Sequence, residues 1–256
     1  MKELTKNNQR SQINTVSIAL NNVGFNYSKE RAALTDVNLE VFTGEKVGLI
    51  GANGAGKTTL FMSICGILAP NYGDVKILNR QIISGKFNPD IGLVFQNPDD
   101  QLFCSTVRDD VAFGAENMGL NPEEVTERVE MALALTGVSH LIDRIPHHLS
   151  GGEKCMVAIA TVLAMQPQVI LYDEPSANLD LKARRRLISF LQASNETIMV
   201  SSHDLELILE VCDRVVLLNQ GRIIADGVPK VIMSDRFLME NNNLEVPHSL
   251  THDHFD

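Results

Sequence analysis

The sequence predicts an α/β fold: a parallel sheet covered by helices, with an antiparallel β subdomain near its start and an inserted helical block. Three observations predict it. Residues 16–41 alternate apolar and polar side chains in short runs, as antiparallel strands do. From residue 168 onward, strand-like and helix-like segments alternate, which implies parallel strands with covering helices. Between them, from about residue 105 to 165, the pattern is mainly helical.

The elements follow in order. "VSIALNNVGFNY" and "LTDVNLEVF" read as paired strands, and "KVGLI" as a buried one. A Gly-rich loop comes next, then helical spacing in "KTTLFMSICGIL" and two further strands, "DVKILN" and "IGLVF". "NPEEVTERVEMALALTGV" opens on an Asn-Pro helix start. The alternating part runs "QVILYDEP", "ARRRLISFLQAS", "ETIMVSS", "DLELILEVC" and "RVVLLNQ". One domain is expected over residues 14–238, then a polar, unstructured tail over 239–256. No internal repeat interrupts this order.

Composition narrows the function. The 256 residues carry a net charge of -10, whereas a protein gripping a phosphate backbone is usually basic. The same charge opposes loose attachment to anionic lipid, so a membrane link would run through a protein partner. The longest apolar run, "MVAIATVLAM", is too short to span a bilayer, and "MKELTKNNQRSQINT" lacks the apolar centre of a secretory signal. Cys65, Cys104, Cys155 and Cys212 are scattered, unlike a zinc site or a disulfide framework.

Two stretches carry phosphate chemistry. Gly51 to Thr58 reads G-x-x-x-x-G-K-T between a strand and a helix, the context that makes this pattern a phosphate loop. Gly54 and Gly56 let the backbone wrap phosphate oxygens. Lys57 adds a cation, and Thr58 a hydroxyl for Mg²⁺. In "VILYDEP", Asp173 emerges at the end of a buried strand, where open α/β sheets bind ligands. It can hold Mg²⁺, and Glu174 can orient or deprotonate water. A second anion site is signalled by "LSGGE", where Ser150, Gly151 and Gly152 open a helix. A single loop cannot share its own phosphate with that distant site, so "LSGGE" is expected to face the nucleotide of another chain, packed head to tail.

These motifs, in this order, resemble the ATP-binding-cassette ATPases over residues 14–230 or so. "GANGAGKT" is similar to Walker A, "LVFQNP" to the Q-loop, "LSGGE" to the signature, "VILYDEP" to Walker B, "SANLD" to the D-loop, and "VSSHD" to the switch segment. The resemblance implies a P-loop NTPase (RecA-like) core with an antiparallel β subdomain and an inserted helical signature subdomain. It implies ATP and Mg²⁺ as cofactors, with Tyr27 stacked on adenine. Gly51, Ala52, Asn53, Gly54, Ala55, Gly56, Lys57, Thr58 and Thr59 would surround the phosphates. Thr58, Gln96 and Asp173 would hold Mg²⁺; Glu174, His203 and Gln96 would serve hydrolysis. Ser150, Gly151, Gly152 and Asp180 would act on the partner chain's nucleotide. Two residues depart from the usual pattern: Glu153 stands where Gln is common, and Met156 where Arg is common. The second change could weaken coupling between the signature helix and the nucleotide.

"IGLVFQNPDDQLFCSTVRDDVAFGAENMGL" resembles more specifically the ATPase subunits of energy-coupling-factor and cobalt or nickel importers. There, the segment after Gln96 forms a groove for helices of a transmembrane subunit. Asp99, Asp100 and Gln101 would lie in it, the two carboxylates complementing basic residues. The resemblance implies a homodimer or heterodimer of ATPase chains, peripheral on the cytoplasmic face of the cell membrane, with a transmembrane coupling subunit and a substrate-specific one. ATP-driven dimerisation would be coupled through these partners to uptake of a transition-metal ion (cobalt or nickel) or a vitamin, a cargo that such an ATPase does not ordinarily touch. His248, His252 and His254 in the tail are candidate Co²⁺ or Ni²⁺ ligands. Two alternatives remain: a soluble cassette ATPase of DNA repair or translation, which usually carries a long coiled-coil insertion or two cassettes, and a binding-only regulatory subunit, which usually loses residues such as Glu174 and His203.

Overall fold

Alternating burial builds the first sheet. In the computed structural model, which describes residues 15–28 and 31–251, Val16–Ser28 (β1) pairs antiparallel with Arg31–Phe42 (β2). Ile18 lies opposite Val41 and Leu20 opposite Leu39, and all four are buried. Lys46–Ile50 (β3) then enters a second sheet and is followed by Lys57–Ile64 (α1). This helix is shorter than its spacing suggested. Gly66 adopts φ +74°, and the Ile67 N–H turns back to the Met62 carbonyl at 2.9 Å, a glycine stop. Tyr72–Ile77 (β4) pairs with the free side of β1, and Arg80–Gln81 (β5) with β4.

Ile91–Val94 (β6) returns the chain to the second sheet, and the helical block follows: Val107–Asn117 (α2), Pro122–Thr136 (α3) and Gly151–Leu163 (α4). Asn121 and Glu124 close a reciprocal capping box at the start of α3, as the Asn-Pro signal implied. The last segments are Val169–Asp173 (β7), Leu181–Ala193 (α5), Thr197–Ser201 (β8), Leu205–Val211 (α6), Arg214–Asn219 (β9) and Arg222–Gly227 (β10). The sheet order is β10-β9-β3-β8-β7-β6, parallel except for β10.

The central strands are buried on both faces, as in covered parallel sheets. Their side chains divide between two apolar layers. Val169, Leu171, Met199 and Val216 join α1 and the antiparallel sheet. Ile170, Tyr172, Ile198, Val200 and Val215 join the helical block and the helices α5 and α6. The helical subdomain is thus fastened to one face and the β subdomain to the other, leaving the strand ends accessible between them.

The C-terminal stretch departs from expectation. Pro229–Ser234 (α7) and Arg236–Asn241 (α8) close the expected domain, and beyond residue 238 the chain goes on to pack through His248–Thr251 (α9) instead of trailing away. Met239 is fully buried, and Leu244, Val246 and Leu250 pack against the same core. Ser249 donates from its N–H and its hydroxyl to the Glu206 carboxylate on α6, at 3.0 and 2.7 Å. Few apolar residues, widely spaced, suffice to fold a polar stretch when each finds the core. Met239→Ala is therefore expected to cost about 2–5 kcal/mol through lost burial and a residual cavity. Urea denaturation checks this; a shift below about 0.5 kcal/mol, the usual range for surface positions, would show that the segment is not packed.

Candidate active site

The phosphate loop joins β3 to α1. Gly56 precedes the helix at φ +110°, and a Cβ there would come within 2.7 Å of the Ala33 carbonyl, so only glycine fits. The first N–H groups of α1 have no acceptor within the helix, and they face a cleft of about 340 Å³. Asn53 to Thr59 line it, together with Tyr27, Gln96, Glu174 and His203. Gly51 and Ala52 lead into the loop. Lys57 is buried and curls back to donate to the Gly51 carbonyl at 2.8 Å. Its ammonium lies 3.2 Å from His203 Nε2 and 3.4 Å from Glu174 Oε1. Tyr27 is half-exposed at the cleft, edge-on to Phe25, with its hydroxyl 3.1 Å from Thr59 Oγ1.

The ends of β7 and β8 bring up the carboxylates. Ser201 donates its hydroxyl to Asp173 Oδ1 at 2.6 Å, while the Glu174 N–H donates to both the hydroxyl and the carbonyl of Ser201. Those bonds hold Glu174 at φ +48°, a left-handed conformation rare outside glycine. The His203 N–H donates to Glu174 Oε2 at 2.9 Å, whereas buried Oε1 receives no aligned hydrogen bond. One carboxylate oxygen is thus anchored, and the other faces Lys57 and the imidazole. Ser201 did not stand out in the sequence, although it sits inside "VSSHD".

The segment after Gln96 turns its side chains in two directions. Asp100 is exposed and Asp99 receives Lys154 Nζ at 2.6 Å. Gln101 does not belong to an outward surface. Its amide donates inward to the Ala158 carbonyl and Thr161 Oγ1 at 2.8 and 2.7 Å, and accepts from the Phe95 N–H. It ties the segment carrying Gln96 to α4. A residue inside a turn carries no periodicity from which its orientation could be read. Phe103 and Phe113 form an exposed edge-to-face pair nearby in sequence, with centroids 5.1 Å apart; "QLFCS" gave no such pairing.

The signature opens α4. Ser150 caps it through a reciprocal box with Glu153: Glu153 Oε2 accepts from the Ser150 N–H and hydroxyl at 2.9 and 2.7 Å. These bonds hold the Glu153 carboxyl below the usual range. A Cβ on Gly152 would meet Ala183 Cβ at 2.7 Å, whereas one on Gly151 would approach only the Asn178 carbonyl, at 3.9 Å. The two glycines therefore differ: Gly152 lets α5 pack closely, and Gly151 is open to the outside. Asp180 caps α5 by accepting from the Ala183 N–H at 2.7 Å. Met156 is buried in the apolar layer around α4, where an arginine would need a buried partner.

Burial pushes the Cys65 and Cys155 thiols up to about 12, so neither is a thiolate at neutral pH. Among the described residues no cluster of three His, Cys, Asp or Glu is placed to cage a metal. His248 is exposed on α9, and His252 and His254 lie outside the described residues.

The chain is similar to known proteins over most of its length. The family model described as "ABC transporter" matches residues 34–177. A Synechocystis protein named as an ABC transporter ATP-binding protein is 52% identical, over 91% of this chain and 82% of its own length. The energy-coupling factor transporter ATP-binding protein EcfA of Methanothermobacter thermautotrophicus is 45% identical, over 90% of this chain and 76% of its own. Among solved structures, cbiO1 from Clostridium perfringens, part of the ABC transporter complex cbiONQ, superposes with TM-score 0.78 at 36% identity. The match covers 93% of this chain and 98% of that one. An ATP-binding cassette of an ABC transporter in its ADP conformation gives 0.76 at 28%, covering 88% and 97%. A glycine-rich loop, an acidic strand end and His203 meeting in one cleft belong with these similarities: the chain is a member of the ABC transporter family, an ATP-binding ATPase with a P-loop NTPase core.

Proposed function

We propose that this ATPase powers an energy-coupling importer, working as a pair of cassettes beneath transmembrane subunits that take up a transition-metal ion or a vitamin. It would sit peripherally on the cytoplasmic face; among the described residues no helix is long and apolar enough to cross a membrane itself. The observation that carries the reading is the segment after Gln96. It begins in the nucleotide cleft and within seven residues presents exposed Asp100 and Phe103, while Gln101 fastens it to the signature helix. Events at the γ-phosphate and at a docked membrane helix would thus share one lever. The names of the EcfA and cbiO1 relatives support the same assignment.

For chemistry, Lys57 would neutralise the β- and γ-phosphates as the N–H groups of α1 receive their oxygens. The residues fit a nucleotide-carried Mg²⁺: Thr58 is exposed and lines the cleft, Gln96 lines it as well, and Asp173 ends β7, two strands from β3. A cation held largely by phosphates and water needs few protein carboxylates, and bound there it would offset charge on the transferring phosphoryl group. Glu174 would take the proton of the attacking water on Oε1, the oxygen not committed to a donor. His203, fixed by its own N–H, would face the γ-phosphate. Tyr27 would stack on adenine, and Ser150, Gly151, Gly152 and Asp180 would approach the partner chain's nucleotide.

Glu174→Gln is expected to keep ATP affinity in a fluorescent-nucleotide titration but to cut turnover roughly 10²–10⁴-fold, the scale of general-base catalysis. With ATP it should accumulate as a dimer on analytical ultracentrifugation. Turnover near wild type would remove Glu174 from the base role.

Asp99 already engages Lys154, so the docking surface is better tested by Asp100→Lys with Phe103→Ala. This pair should abolish co-purification of the transmembrane partner from detergent-solubilised membranes, because the reversed charge repels where the ring no longer anchors. ATP binding by the isolated chain should be unchanged. Wild-type recovery of the partner would place the docking surface elsewhere.

A further inference from the structure

The sequence "ARRRL" reads only as a helix, yet the structure sends its three arginines to three different places. Arg185 pairs with Glu210 on the exposed side of α6. Arg186 donates to the Thr136 and Gly137 carbonyls at the end of α3. Arg184 forks onto both carboxylate oxygens of Asp204, with Nη2 2.8 Å from Oδ1 and Nε on Oδ2. We propose that Arg184 is a positioning residue for hydrolysis, holding the switch segment and through it the Glu174 carboxylate.

Arg184 lies one turn into α5, which Asp180 caps, and its N–H donates to the Asp180 carbonyl at 2.9 Å. The Asp204 carboxylate also caps α6 by accepting from the Leu207 N–H at 3.0 Å. The Asp204 N–H donates to Ser202 Oγ at 3.0 Å, and that hydroxyl lies 3.4 Å from Ser176 Oγ, two residues after Glu174. His203 is suspended between these anchors. Its N–H bonds Glu174 Oε2, and its Nε2 lies 3.3 Å from Oε1. A shift of the Asp204 carboxylate would therefore be felt at both ends of the Glu174 carboxyl group.

The fork suits this role. Both side chains are largely shielded, so the pair is less screened than an exposed one. Burial opposes ionisation of Asp204, but the Arg184 bonds and the Leu207 N–H outweigh it and keep the carboxyl below the usual range. A two-pronged guanidinium fixes the carboxylate plane, which one ammonium cannot do. Arg185 and Arg186 join α5 to α6 and α3 through contacts of their own, separate from the Arg184 fork. The fork also joins the switch segment to the helix opened by Asp180, so a displacement of that end by a partner chain would reach Glu174.

The inference rests on Glu174 acting as the base, and a double-mutant cycle separates the two claims. In steady-state assays of the full chain, Arg184→Ala should lower kcat about tenfold or more, with the KM for ATP within about twofold, as for loss of a contact effective only in the transition state. Arg184→Lys should fall between, keeping the charge without the fork. Arg185→Ala should resemble wild type. In a Glu174→Gln background, Arg184→Ala should change the residual rate less than about twofold, because it acts through the residue already replaced. Unchanged kcat in Arg184→Ala, an equal loss in the Glu174→Gln background, or an equal loss in Arg185→Ala would each overturn the inference while leaving Glu174 in place. Near-normal turnover in Glu174→Gln would instead sink the reading beneath it. If Arg184→Ala lowers the urea midpoint strongly, Arg184→Lys carries the same cycle.

Discussion

Three neighbouring parallel strands, β3, β8 and β7, end on the same side of the sheet, and everything else in the site depends on that alignment. β3 delivers the loop that holds Lys57, β7 ends at Asp173 and Glu174, and β8 ends at Ser201 beside His203. Because the strands are hydrogen-bonded neighbours, Ser201 reaches both Asp173 and Glu174. The left-handed backbone at Glu174 is a local cost, of the kind that persists only where surrounding bonds over-determine it. Here the Ser201 and His203 bonds do so. The two apolar layers keep the strands in register, so core packing and site geometry are one constraint.

The chemically specific part of this arrangement was legible in the sequence because it depends on local backbone demands. A glycine at φ +110° against a carbonyl and a lysine at the first helical position are readable from one short stretch. The alternation of strands and helices gave the architecture for the same reason. What escaped was what only tertiary contact decides. Gln101 stands beside two exposed aspartates, but its amide is satisfied by α4. The residues after 238 look polar, yet Met239, Leu244, Val246 and Leu250 each meet the core. Arg184, Arg185 and Arg186 are indistinguishable in a helical pattern, and only their partners give them different roles.

The start of α4 shows how a family departure acquires physical content. Glu153 is an acceptor only, so the Ser150 hydroxyl proton is directed to it. Gly152 answers an internal demand, the approach of Ala183, while Gly151 remains open. A helix start with one intramolecular and one outward glycine suits a surface approached by another chain's phosphate, within the pairing proposed above. Met156 shows the complementary case: an apolar residue in a buried place, consistent with the packing around it.

The central claim is that these strand ends form a hydrolytic centre completed by a second chain. The most direct measurement is a crystal structure of Glu174→Gln with Mg²⁺ and ATP. The account predicts the γ-phosphate between Lys57 and the side chain at position 174, with Ser150 of the second copy within hydrogen-bond distance. A γ-phosphate remote from position 174, or a nucleotide enclosed by one chain alone, would contradict it.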